Sequence, residues 1–452
     1  MSLRLYIILG LNLFCTTTHA VTVHEIQYKG KTKAYLVEDH TYPILSVAGK
    51  IEKSGCLSDP VGQEGKSYLM MQLLSLRFDK EKLSYRKLGV SSMNFNSGRD
   101  YFRFSFEVPL EKSKKAISTI LQDLLNFKPD AVELRRSKYS FSSAYFNSES
   151  ASPDNFLERK WIQLSYPHIP EYQNYSGTMD SIESFNPQDF DNYWKERLTQ
   201  ENVIFSIVGD MSPAQCSEFI AEMMTLLPEK SQQPLSSKFE ILNQKDTIEP
   251  QIDGSVTLVH ADRPQSHVFF GQKGLSKLHP DFYTLQIASS ILGQGTFTSR
   301  LWIELREKKG SVYNVLTRLD PEFNYFFGFL STSNDKVAQS IEDIRKVFQE
   351  LKTNGITAKE LEDAKKQLIG TYMVTLTNLS GIANAVIKAT EEGNALRFVE
   401  GYAEKINQVT LQDVNKLVKS ILDPEGLRFV VLGNPTSESS SSDPLPAPLM
   451  HS

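Results

Sequence analysis

A chain of 452 residues with 40% hydrophobic and 23% charged residues has the composition of a globular protein and length for more than one core. A formal net charge of -5 and the lack of any dense Lys/Arg run argue against a nucleic-acid partner and favour protein or peptide partners. Beyond the first twenty residues, no segment approaches the eighteen or so consecutive apolar residues of a membrane span.

Residues 1–20 read as a secretory signal: Arg4 supplies the positive start, Tyr6 to Phe14 the apolar stretch, and Thr18-His19-Ala20 a small-residue cleavage site. Removal of that segment leaves Cys56 and Cys216, too few for a disulfide framework, and two buried free thiols are expected. Phe102, Phe104, Phe106 and Val108 alternate with Arg103, Ser105 and Glu107, the pattern of a half-buried strand. Ile117, Ile120, Leu121, Leu124 and Leu125 then recur at helical spacing before Lys128-Pro129. Asn186, with Pro187 and Asp189, caps a further helix that leads into the apolar strand ending at Gly209.

The same order then recurs. Gly433 lies 224 residues after Gly209, and the same spacing relates Tyr101-Phe102 to Tyr325-Phe326 and the pair Ile117/Ile120 to Ile341/Ile344. Thr410 with Asp413 repeats the cap at Asn186. The chain is therefore read as a duplication. Its strands and helices come in runs, which favours an α+β fold with helices on one face of each sheet. The expected boundaries are a first domain at 21–228, a linker at 229–250, a second domain at 251–435 and a disordered, Ser-rich tail at 436–452.

In the second half, Leu292-Gly293-Gln294-Gly295 precedes Ser299-Arg300-Leu301, which is followed by Leu305-Arg306-Glu307-Lys308 and then Gly310 and Tyr313. In the first half, Tyr166-Pro167-His168, Gly177-Thr178, Ile182 and Val208-Gly209-Asp210 follow in order. Taken together, these segments resemble the insulinase/pitrilysin family of inverted-zincin peptidases. The resemblance covers about Val23 to Pro435 and implies two homologous α/β-sandwich domains of the mitochondrial-processing-peptidase-like metallohydrolase fold, arranged as half of a clamshell.

The family's His-x-x-Glu-His holds zinc through its two histidines, and its Glu acts as general base. Here those positions fall on Tyr68, Met71 and Gln72, and the distal Glu position, eight residues before Pro153, falls on Tyr145. A phenol with a pKa of about 10 and a neutral amide are poor zinc ligands, and a thioether cannot take the catalytic proton. Outside the signal segment, no two histidines lie three to five residues apart, so a helical pair is not rebuilt elsewhere. The reading is no metal and no catalytic residue in this chain, with zinc expected in a partner subunit.

The resemblance further implies that Arg306 and Tyr313, seven residues apart, contact substrate backbone. The competing reading makes Arg306 a helix-end cation before a Gly310 cap and Tyr313 a core strand residue. The expected function is that of the non-catalytic subunit of a heterodimeric, zinc-dependent periplasmic peptidase, with a homologous catalytic partner and a peptide substrate. The alternative is a stand-alone peptide-binding clamp without proteolytic activity.

Overall fold

The computed structural model describes residues 22–60, 62–146, 152–169, 176–231 and 249–435. The signal segment expected at 1–20, most of the linker and the tail from 436 lie outside the described residues.

The first half runs β1 (Val23–Tyr28), β2 (Lys31–Glu38), β3 (Ile44–Glu52), α1 (Lys66–Lys87), β4 (Met93–Ser97), β5 (Tyr101–Pro109), α2 (Leu110–Leu125), α3 (Ala131–Phe146), α4 (Pro153–Ser165), α5 (Met179–Ser184), α6 (Tyr193–Arg197), β6 (Val203–Gly209) and α7 (Pro213–Thr225). The second runs β7 (Val256–His260), β8 (Gln265–Lys273), α8 (Phe282–Ser289), π-helical stretches at Ser290–Gln294 and Trp302–Lys308, β9 (Val312–Asp320), β10 (Tyr325–Ser333), α9 (Val337–Asn354), α10 (Ala358–Thr375), α11 (Leu379–Ala389), α12 (Phe398–Gln408), α13 (Leu411–Ile421) and β11 (Arg428–Gly433).

The two sheets have the orders β1-β2-β6-β3-β5-β4 and β7-β11-β8-β10-β9, as an α+β fold of two domains requires. Equivalent strands pair alike: β2 with β6 and β7 with β11 are parallel, and the other neighbours are antiparallel. Strands β5 and β10 begin at Tyr101 and Tyr325, the residues that the 224-residue offset relates. Thr410 forms its capping box with Asp413. The box at Asn186 opens only the 3-10 turn Pro187–Phe190, because Asn192 adopts a left-handed φ of 63° and the helix restarts at Tyr193.

One expectation is corrected. The alternation in β5 predicted one face on a core and one in water, yet Arg103 and Ser105 are buried together with Phe102, Phe104 and Phe106. The second face of each sheet is covered by a helix from the other half. Leu157, Trp161 and Ile162 of α4 pack on Phe269 of β8 and on Val430 and Leu432 of β11. In return, Ala383, Val386 and Ile387 of α11 pack on Val37, Ala48 and Val208 of the first sheet.

The exchange is fixed by polar contacts at both ends. Trp161, fully buried, donates its indole N–H to the Arg428 carbonyl at 3.2 Å, and its ring lies where a Cβ on Gly271 would come within 2.7 Å. The equivalent tyrosines each donate a hydroxyl to a carboxylate of the opposite half, Tyr101 to Glu322 at 2.9 Å and Tyr325 to Glu158. Cys56 and Cys216 are unpaired, and burial pushes the Cys216 thiol up to about 12.

Truncating the exchanged anchor, Trp161→Ala, should cost about 3–5 kcal/mol, the scale of a large aromatic removed from a packed core. Because Trp161 belongs to one half and its pocket to the other, urea denaturation followed by two probes, one per half, should show both transitions moving to lower urea together. A shift confined to one half would contradict the exchange.

Stability should also peak on the acid side of neutrality. Burial pushes Asp59 up to about 7 although it accepts the N–H groups of Gly65 and Ser67 at 3.0 Å, and it pushes Asp320 up to about 7 although it accepts those of Glu322 and Phe323 at 2.8 Å. Both are protonated more readily folded than unfolded, so stability is lost as pH rises from about 4, the ordinary carboxylate value, to 7. The Arg77 guanidinium holds Glu133 down at about 2; Glu392, which burial alone would raise, is brought to about 2 by Lys277 and Lys405. Their contribution is present above about pH 4.5 and lost as pH falls toward 2. The melting temperature should therefore be higher at about pH 5.5 than at pH 8, and should drop below about pH 4. A melting temperature that climbs between pH 5.5 and 8 would refute this assignment.

Candidate functional site

Helix α1 follows β3 through a turn held by Asp59, whose carboxylate caps the helix by accepting the Ser67 N–H and hydroxyl. The apolar side chains Leu69, Met70, Leu73 and Leu74 anchor one face of α1 in the first core. Tyr68 and Met71 are partly buried and pack against that same core, and the Tyr68 ring meets Phe141 of α3 edge-on at 6.1 Å. The Gln72 side-chain oxygen is shielded from solvent and accepts no hydrogen bond among the described residues. Position 145 falls in the last turn of α3, and its side chain lies outside the described residues.

This donor set does not fit zinc. Two of the three positions are committed to hydrophobic packing, and the third offers one neutral oxygen where the metal needs imidazole, thiolate or carboxylate. Among the described residues, no group of three or more His, Cys, Asp or Glu is placed to hold a metal ion.

The stretch equivalent to α1 in the second half is built differently. Helix α8 passes into the π turn Ser290–Gln294, where a Cβ on Gly293 would come within 2.7 Å of the Thr317 backbone nitrogen in β9. The chain therefore breaks at the Gly293-Gln294-Gly295 run and resumes helical form at Trp302–Lys308, and Gly310, with a φ of 55°, turns it into β9.

Arg306 and Tyr313 flank that turn. Arg306 is exposed and donates from Nη1 to the Val312 carbonyl at 3.1 Å, so its head lies beside the residue that precedes Tyr313. Tyr313 is 57% exposed, which corrects the reading that places it in the core. Strand β9 is the outer strand of its sheet, and its register on β10 jumps from Asn314↔Ser331 to Val312↔Thr332, which leaves Tyr313 as the unpaired residue of a β-bulge. Such bulges turn a side chain away from the regular alternation of the strand.

Residues outside the motif hold this bulge. The Asn314 side-chain oxygen accepts the Ser331 N–H at 2.9 Å and also bonds the Ser331 hydroxyl, and Thr332 donates its hydroxyl to the Ser311 carbonyl. Lys336 donates to the Gly310 carbonyl at 3.1 Å. A polar Asn next to Tyr313 in a strand sequence is the one signal that could have located the bulge beforehand.

The comparisons agree with this geometry. The family described as Peptidase M16 inactive domain matches residues 184–368. The non-peptidase homolog YmxG of Helicobacter pylori is 23% identical over 444 residues, covering 95% of this chain and 98% of that protein. The crystal structure of a peptidase M16 inactive domain from Pseudomonas fluorescens superposes with a TM-score of 0.79 at 20% identity, covering 94% of this chain and all of that one. The periplasmic protease PqqL of Escherichia coli gives a TM-score of 0.71 at 15% identity; the match covers 96% of this chain and 49% of PqqL. Residues 184–368 thus match the Peptidase M16 inactive domain, and the chain shares the duplicated α+β fold of these relatives, with Tyr68 and Gln72 at the two ligand positions and Met71 at the base position of the insulinase/pitrilysin zinc motif.

Proposed function

We propose that this chain is the non-catalytic subunit of a two-chain, zinc-dependent peptidase of the periplasm, in which a homologous partner carries the intact zinc motif and this chain presents Arg306 and Tyr313 to the peptide. The observation that carries the reading is the contrast between the two equivalent stretches. The zinc positions have been absorbed into a core, whereas Arg306 and the bulged Tyr313 stand exposed on a turn braced by four side chains. Arg306 offers several N–H donors, of which one is used on Val312, and the others suit peptide carbonyls. The open edge of β9 adds backbone groups to which an extended peptide can pair.

Two further features support the setting. The first twenty residues follow the pattern of a secretory signal. The periplasmic protease PqqL contains this fold in about half of its length, so a second stretch of similar size accompanies it there.

Co-expression with each zinc-motif homologue of the same genome, followed by purification on a tag carried by this chain, should recover one homologue in equal amounts together with peptidase activity. Recovery of this chain alone in every case would remove the heterodimer. Tight peptide binding by the chain in isolation would instead favour the clamp.

On the purified heterodimer, Arg306→Ala should lower kcat/KM by roughly 10-fold to 1000-fold, the scale of one or two charge-assisted hydrogen bonds. Tyr313→Phe should lower activity without changing the melting temperature, since the ring is exposed. Asn314→Ala, which loosens the bulge, should reduce turnover in the same direction as Tyr313→Phe. Undiminished turnover in all three variants would take this turn out of the site.

A further inference from the structure

A cavity of about 630 Å3 lies between the two halves, walled by Lys50, Tyr101 and Arg103 of the first sheet and by Lys277, Lys388 and Glu391 of the second half. Neither Tyr68 nor Arg306 nor Tyr313 lines it, and the peptidase reading does not use it.

The charges at the C-terminal end of α11 do not balance. Arg103 hydrogen-bonds Glu391, and Lys277 reaches Glu391 at 3.6 Å and Glu392 at 2.9 Å. Lys405 takes Glu392 as well, at 2.9 Å. Lys388 lines the cavity and has no hydrogen bond or ion pair among the described residues. Four cations thus share two carboxylates. The end of the α11 dipole supplies only about half a negative charge, which leaves more than one positive charge without a partner. On the rest of the wall Lys50 pairs with Glu52 at 3.3 Å, Arg99 and Asp100 add one charge of each sign, and the Glu322 carboxylate, which accepts the Tyr101 hydroxyl at 2.9 Å, offsets a further cation, so the lining keeps an excess of one positive charge, at Lys388.

We infer that this cavity is a binding site for a small oxyanion-bearing molecule, a phosphate monoester or a carboxylate, which Lys388 contacts directly and Arg103 and Lys277 flank. The Arg103 guanidinium lies over the Tyr101 ring, 4.0 Å from its centroid, which fixes it on the cavity wall. A bound anion would touch both halves at once and so oppose their separation.

The test is calorimetric titration of the full chain with inorganic phosphate and, separately, with succinate, at constant ionic strength made up with chloride. Saturable one-to-one binding of either anion is expected, and the anion preferred names the source as phosphate or carboxylate. Lys388→Gln should weaken binding at least tenfold, and Lys419→Gln, on the outer face of α13, should leave it unchanged. Glu391→Gln, which removes a competing carboxylate, should tighten it several-fold. Lys388 has no partner to lose, so its variant should melt within about 2 °C of the parent without ligand. No saturable binding of either anion, equal affinity in Lys388→Gln, or weaker binding in Glu391→Gln would each overturn the assignment.

Discussion

A sheet with apolar side chains on both faces needs cover on both, and in each half of this protein the second cover is a helix borrowed from the other half. Trp161 against Phe269 and Tyr325, and Val386 and Ile387 against Val37 and Val208, are the contacts that turn two repeats into one body. At about 25 cal/mol per Å2 of apolar surface, leaving either face bare would forfeit a large part of the margin by which a domain is stable. The polar contacts between the halves, from the Tyr101 and Tyr325 hydroxyls to the Arg103–Glu391 pair, sit around this exchange and depend on it.

With the frame held in this way, the two copies of the helix after the third strand have been free to differ. In the first half α1 runs unbroken for 22 residues, and Tyr68 and Met71 pack it against the core. In the second half the corresponding stretch is interrupted by π turns where Gly293 presses on Thr317, and the interruption delivers Arg306 and Tyr313 to the rim of the sheet. One copy is a regular helix packed on its core, and the other trades helical regularity for an exposed pair of side chains. The Gln72 oxygen finds no donor among the described residues, and a buried acceptor without a donor costs roughly 1–3 kcal/mol.

Much of this architecture could be read from the residues alone. The 224-residue offset placed equivalent strands at Tyr101 and Tyr325 because a strand's apolar alternation and its terminal Gly are local signals. The capping box at Thr410 was legible for the same reason. What periodicity cannot convey is the identity of the surface that an apolar face meets. Arg103 reads as a solvent-facing strand residue, and that assignment fails because its partner Glu391 lies more than a hundred residues away, as does the Arg428 carbonyl that takes the Trp161 N–H. The bulge at Tyr313 arises from a register jump between β9 and β10, of which the polar Asn314 is the one local sign in the sequence. The packing of Tyr68 and Met71 against the core became visible only with the structure, Tyr68 meeting Phe141 of α3 edge-on.

The reciprocal exchange also constrains how such a protein can have arisen. A chain carrying one repeat would present a bare sheet face and an unplaced apolar helix, and two copies could satisfy each other only by trading helices about a twofold axis. An ancestor of half this length would have been an obligate homodimer, folded only at concentrations where its copies met. Joining the copies through a linker replaces that concentration dependence with a fixed, high local concentration. It also releases the two repeats from sharing one sequence, which is the condition under which one could lose a metal site while the other kept an exposed arginine and tyrosine.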